Sequence, residues 1–150
     1  MLLVGLPGSG KSTWAEQQGT AVISTDQIRF LLSDDAANQL IHGPVFATGR
    51  FLLRKRLGLR RPVTYIDATN ATRHERRTWI QLAQMFDARV EAIFFDTPLD
   101  LCKQRNRNRA RVVPEWAMDA LASRLTAPSL DEGLEAITVY AGAIVYDALT

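Results

Sequence analysis

The chain has 150 residues, 47% of them hydrophobic and 23% charged, which is the make-up of a single globular domain with one sizeable core. No stretch approaches the roughly 18 apolar residues of a membrane-spanning helix, and the apolar start Met1–Val4 is too short and lacks the basic flank of a secretory signal. The net charge of +2 hides an asymmetry: residues 1–49 hold two basic and four acidic groups, residues 50–111 fifteen and six, and residues 112–150 one and six.

The basic middle is expected to meet something anionic, although the run Arg50 to Arg61 taken alone reads better as a solvated helix face. The lone Cys102 can make no internal disulfide, which points to a reducing, cytoplasmic setting.

Taken in chain order, short β-branched runs buried on both faces are predicted at Leu2–Val4, Ala21–Ser24, Val63–Ile66, Val90–Phe95 and Ala136–Tyr140. Helical segments separate them. One starts near Lys11, and Pro44 to Leu57 reads as another, weakened by Gly49. Thr72 with Glu75 forms a capping box ahead of Arg73–Phe86. Thr97 as N-cap, Pro98 and the acidic Asp100 open a helix to about Arg109; Pro114 and Glu115 open one to about Leu125. This alternation predicts an α/β fold, a mainly parallel five-stranded sheet with helices on both faces. Ligands in such sheets bind beyond the carboxyl ends of the strands, so the residues just after each strand are the candidates for function.

The first such segment is decisive. Gly5-Leu6-Pro7-Gly8-Ser9-Gly10-Lys11-Ser12 matches a phosphate-binding loop between strand and helix. The glycines let successive N–H groups face phosphate oxygens, so Gly8, Ser9, Gly10, Lys11, Ser12 and Thr13 are expected to cradle ATP. Lys11 is expected on the β- and γ-phosphates and Ser12 on Mg²⁺. A P-loop fold, a three-layer sandwich, follows. The guanine-reading Asn-Lys-x-Asp and the switch Asp-x-x-Gly are both missing, which excludes a GTPase; mechanical ATPases need a longer chain. A small kinase or a non-catalytic nucleotide-binding module remains.

After the second strand, Asp26 and Arg29 stand three residues apart, on one face if a helix starts there. A kinase acting on a hydroxyl needs a carboxylate to take the proton and an arginine for an anionic acceptor. Alternatively Asp26 caps that helix and pairs with Arg29. Asp67, ending the third strand, suits a Mg²⁺ contact through water; otherwise Asp67 and Asn70 fix the turn. Residues 103–111 carry Lys103, Arg105, Arg107, Arg109 and Arg111 with no carboxylate among them. Arg105 and Arg109, i and i+4 on a helix, are expected as catalytic cations in a lid spanning about 103–115; Arg107 and Arg111 read as general phosphate or base contacts. A solvated basic helix end is the alternative. Trp14, Trp79 and Trp116 are expected to pack, and His42 and His74 to have no metal or base role.

The ordered set Gly5–Trp14, Ser24–Arg29, Asp67–Asn70 with Arg76-Arg77, Phe94–Asp100 and Arg105-Asn106 through Pro114 resembles the AAA-type P-loop kinase domain of phage and bacterial polynucleotide 5′-hydroxyl kinases. The resemblance covers most of the chain. It implies that Asp26 is the general base toward a 5′-OH of DNA or RNA and that Arg29 engages the phosphate beside it. It also implies that Arg105 and Arg109 form the lid over the donor phosphates, with Lys11 and Ser12 serving ATP and Mg²⁺. Family members are commonly fused to a phosphatase or ligase, for which 150 residues leave no room, so one kinase domain over 1–150 is expected. Kinases of sugars, nucleosides and antibiotics share the scaffold.

Overall fold

The computed structural model describes the backbone of residues 1–141 and 144–148 and the side chains of residues 1–141. Six strands, β1 (Leu2–Val4), β2 (Val22–Ser24), β3 (Tyr65–Asp67), β4 (Glu91–Phe95), β5 (Ala136–Ala141) and β6 (Ile144–Ala148), form one sheet in the order β2-β3-β1-β4-β5-β6. The first five are parallel, with Leu2 opposite Ile66 on one side and Ala92 on the other. β6 runs antiparallel to β5, a strand beyond the five expected. A hairpin partner needs no crossover helix, so strand–helix alternation gives no sign of it. β3 begins two residues later and ends one residue later than expected, so that it includes Asp67.

Six α-helices cover the sheet: α1 (Lys11–Glu16), α2 (Thr25–Ser33), α3 (His42–Gly58), α4 (Arg73–Met85), α5 (Leu99–Arg107) and α6 (Glu115–Arg124). The two-residue period of a strand divides the core between its faces. Leu2 and Val4 of β1, with Ala92 and Phe94 of β4, join Ile28, Val45, Leu53, Trp79 and Ile80 from α2, α3 and α4. Leu3, Ile93 and Phe95 point the other way, to Ala15 of α1 and the ring of Trp14, which lies 5.6 Å from Tyr65 and 6.1 Å from Phe95. Leu6, Cys102 and Met118 close the space beneath α5 and α6.

Gly49 does not weaken α3 as expected, because a Cβ there would sit 3.0 Å from the Trp79 ring; the glycine lets α3 lie against Trp79. Thr72 caps α4 as expected, accepting from the Glu75 N–H at 3.2 Å, but Glu75 reaches back one residue further, to the N–H of Ala71 at 2.8 Å. At α5 the cap is Pro98 rather than Thr97, whose hydroxyl instead donates to the carbonyl of Ser9 at 3.1 Å. α5 ends at Arg107, not Arg109. Among the described residues no helix is long and apolar enough to cross a membrane, and no cluster of His, Cys, Asp or Glu has the make-up of a metal site.

Candidate active site

The sheet order changes direction at β1: the chain passes from β1 outward to β2 and β3, then crosses to β4. That switch point opens a crevice at the strand ends. It is filled by a cleft of about 1130 Å³, and the loop after β1 forms its floor.

The loop's shape is set by contacts behind it. Gly8 has φ +81°, and a Cβ there would meet the carbonyl oxygen of Cys102 at 2.5 Å, so α5 supports the loop at a distance only glycine allows. Gly10, at φ +105°, turns the chain into α1. Gly8, Gly10, Lys11, Ser12 and Thr13 line the cleft; Ser9 lies just beneath, its buried hydroxyl without a hydrogen-bond partner. The Lys11 ammonium is buried and folds back to donate to the carbonyls of Gly5 at 2.7 Å and Leu6 at 3.0 Å. Burial lowers its pKa from 10.5 to about 8, with Asp67 opposing the shift and Arg109 adding to it. These groups are short of an anion.

Facing the loop, Ser12 donates its hydroxyl to Asp67 Oδ2 at 2.7 Å. A hydroxyl beside a buried carboxylate is a hard-oxygen donor pair, which fits Mg²⁺. Asn70 takes the other role weighed for it. At φ +48° it donates to the Leu3 carbonyl at 2.8 Å and accepts from the Trp79 indole at 3.2 Å, so its side chain holds the turn.

At the end of β2, Ser24 caps α2 by accepting from Gln27, which leaves Asp26 free of capping. Asp26 is gripped by two guanidiniums, Arg29 at 3.3 Å and Arg111 at 2.8 Å. Arg29 is 5% exposed, and its Nε has no partner. Burial lowers its pKa, Asp26 raises it and Arg111 lowers it again, so the pair of arginines carries more positive charge than the one carboxylate neutralises.

The basic segment sorts itself by pairing. Lys103 binds Asp119 at 2.7 Å and Arg107 binds Glu115, both on the outside. Arg107 is thus turned away from the phosphate contact expected of it. Arg105 and Arg109 have no carboxylate partner among the described residues, and both line the cleft; Arg105 reaches the Gly8 carbonyl at 3.5 Å. They meet there although Arg109 lies past the end of α5, so a shared helix face is not what joins them. Trp14 and Trp79 pack as expected. Trp116 does not: it is 74% exposed and lines the cleft, as do His42 and Phe46 from the start of α3, whose rings lie 4.4 Å apart and tilted by 35°.

A family model described as an AAA domain, AAA_33, matches residues 1–128, everything from β1 to just beyond α6. The chain belongs to that family. A curated relative from Schizosaccharomyces pombe, a bifunctional polynucleotide phosphatase/kinase, is 28% identical over an alignment 142 positions long that covers 89% of this chain and 31% of the relative. This chain therefore spans about a third of that protein. A chain in the structure of the Pnkp1/Rnl/Hen1 RNA repair complex superposes with a TM-score of 0.71 at 22% identity, over 83% of this chain and 42% of the other. A gluconokinase from Sinorhizobium meliloti 1021 superposes with a TM-score of 0.63 at 18% identity, over 95% and 82%. The two solved structures establish a shared fold.

Proposed function

We propose that the chain is an ATP-dependent kinase domain that phosphorylates the 5′-hydroxyl end of DNA or RNA. One observation carries this reading: Asp26 stands across the cleft from the phosphate loop beside a buried arginine whose Nε has no partner. A carboxylate and an anion-seeking guanidinium side by side suit an acceptor with a hydroxyl next to a phosphate. The polynucleotide phosphatase/kinase relative supports the same acceptor.

In this reading Gly8 to Thr13 hold the donor's phosphates, Lys11 supplies charge at the β- and γ-phosphates, and Ser9 donates its free hydroxyl. Ser12 and Asp67 would hold Mg²⁺, the latter through water, and the ion would supply neutralisation of the phosphate charge. Asp26 accepts the proton of the 5′-hydroxyl as that oxygen bonds to the γ-phosphorus. The bond from phosphorus to the β–γ bridging oxygen breaks, and ADP leaves. Arg29 fixes the acceptor by its neighbouring phosphate, while Arg105 and Arg109, in a lid over about 103–115, cover the migrating group. Arg111 must release Asp26 for the base to act. Cytoplasmic ATP suits this donor site, and Cys102 is a free thiol there.

Labelled ATP offered with oligonucleotides, 3′-nucleotides, nucleosides and sugars tests the acceptor. Oligonucleotides should be used best, 3′-nucleotides next and free nucleosides poorly. Acceptor KM should rise with salt by a slope of roughly 0.7 per phosphate contacted. A sugar used as well as an oligonucleotide, with a salt-independent KM, overturns the reading. Asp26→Asn should lower kcat roughly 10²-fold or more at nearly constant ATP affinity, whereas excess Mg²⁺ should partly rescue Asp67→Asn.

A further inference from the structure

Besides His42 and Phe46, the cleft holds an aromatic feature for which phosphate chemistry has no use. Trp116, in the first turn of α6, is the one tryptophan left in water, at 74% exposure against 1% for Trp79. It lines the cleft with Val112, itself 54% exposed, and with Pro114, Ala117 and Ala120, which makes an apolar ledge along a wall otherwise rich in cations. A single exposed aromatic on an open surface is ordinary; an indole on an apolar ledge inside a charged cleft has a flat face with nothing against it.

The ledge belongs to the acceptor side. The loop before α6 is tied to Asp26 by Arg111 at 2.8 Å. Just after α6, the N–H of Thr126 donates to the Ala71 carbonyl at 2.8 Å, and the Thr126 carbonyl accepts from the buried Arg76 at 2.9 Å. One end of the helix is thereby tied to Asp26, the acceptor's proposed base, and the other to the segment that follows β3. A terminal nucleotide presents an anion and a flat apolar ring together, and this side of the cleft presents a guanidinium pair and an indole.

We infer that Trp116 is a stacking platform for the nucleobase of the acceptor's terminal nucleotide, a specificity element that rests on the polynucleotide reading above. Stacking is sequence-tolerant, because every base has a π-face, so the platform admits any end but demands a base. An abasic end offers it no π-face to stack.

The test pairs a protein change with a substrate change. With a short 5′-OH oligonucleotide, Trp116→Ala should raise acceptor KM by roughly 5- to 100-fold, leaving KM for ATP unchanged and kcat within about twofold. Trp116→Phe should recover most of the loss. With the same oligonucleotide made abasic at its 5′-terminal position, wild type should fall to the level of Trp116→Ala, and the substitution should then cost nothing further. An equal penalty on both acceptors would make Trp116 merely structural; a rise in KM for ATP would give the platform to the donor's adenine; an unchanged acceptor KM would remove it from the site. Each of these overturns the inference while wild-type labelling of the oligonucleotide leaves the kinase reading standing. Wild type that labels a sugar or nucleoside but no oligonucleotide overturns both.

Discussion

The phosphate loop and the basic segment after α5 both gather positive charge at one cleft, yet they are built in opposite ways. In the loop the charge is buried, and the ammonium of Lys11 is held by the loop's own carbonyls at 2.7 and 3.0 Å. In the basic segment the cations are half-buried or exposed, and partners on other elements, Asp119, Glu115 and Asp26, take up three of the five. The loop's cation is satisfied by the loop's own carbonyls, while its shape is backed by α5 and Thr97. A run of arginines acquires function only through what the rest of the fold leaves unneutralised.

The largest effect that can break this contrast is at the loop. Lys11→Ala removes the charge meant for the β- and γ-phosphates and should lower turnover by roughly 10²-fold or more, with an unchanged circular dichroism spectrum. Retention of more than about a tenth of wild-type kcat would mean that the loop is not used as argued.

The basic segment offers an internal control. Arg105→Ala and Arg109→Ala should each reduce kcat by roughly 10- to 10³-fold, more than they weaken ATP binding, because the lid acts on charge developing in the transition state. Arg107→Ala, which breaks an exposed pair with Glu115, should change kcat by less than about twofold. Equal losses at Arg105 and Arg107 would show that pairing does not sort these cations, and a loss confined to KM for ATP would demote Arg105 and Arg109 to ground-state contacts.

The smallest effect concerns protons. Lys11 titrates at about 8 in the folded chain and at its ordinary 10.5 when unfolded, mainly because burial disfavours the charge. Between those values the unfolded chain binds the extra proton, so this group's contribution to stability rises with pH across the window. Nucleotide phosphates favour the protonated form, so ATP affinity should weaken above pH 8, by up to about tenfold per unit, with proton uptake visible by calorimetry. Lys11→Arg should flatten that profile. An ATP affinity constant to pH 9.5 in wild type would contradict the burial argument.

Read from the residues alone, Asp26 could have been a helix cap paired with Arg29, and Asp67 could have fixed a turn together with Asn70. Contacts across the chain separated those uses: Ser24 takes the cap of α2, Asn70 holds the turn after β3, and Asp67 is left facing Ser12. The same distinction explains Trp116, which by helical position alone cannot be told from Trp14 or Trp79. Only the course of the chain after α5 leaves its ring 74% exposed.

What the sequence determined by itself is whatever depends on short-range rules: five parallel strands and their helices from periodicity and caps, and the phosphate loop from a spacing that its own backbone enforces. β6 lay outside those rules because a hairpin partner needs no crossover helix to announce it. The tertiary structure alone decided which cations are neutralised, which carboxylate faces Ser12 and which indole is exposed. Those outcomes depend on distances between residues far apart in the chain, such as the 2.8 Å from Arg111 to Asp26, and a Coulomb or stacking contact is set by distance in space and not by order in sequence.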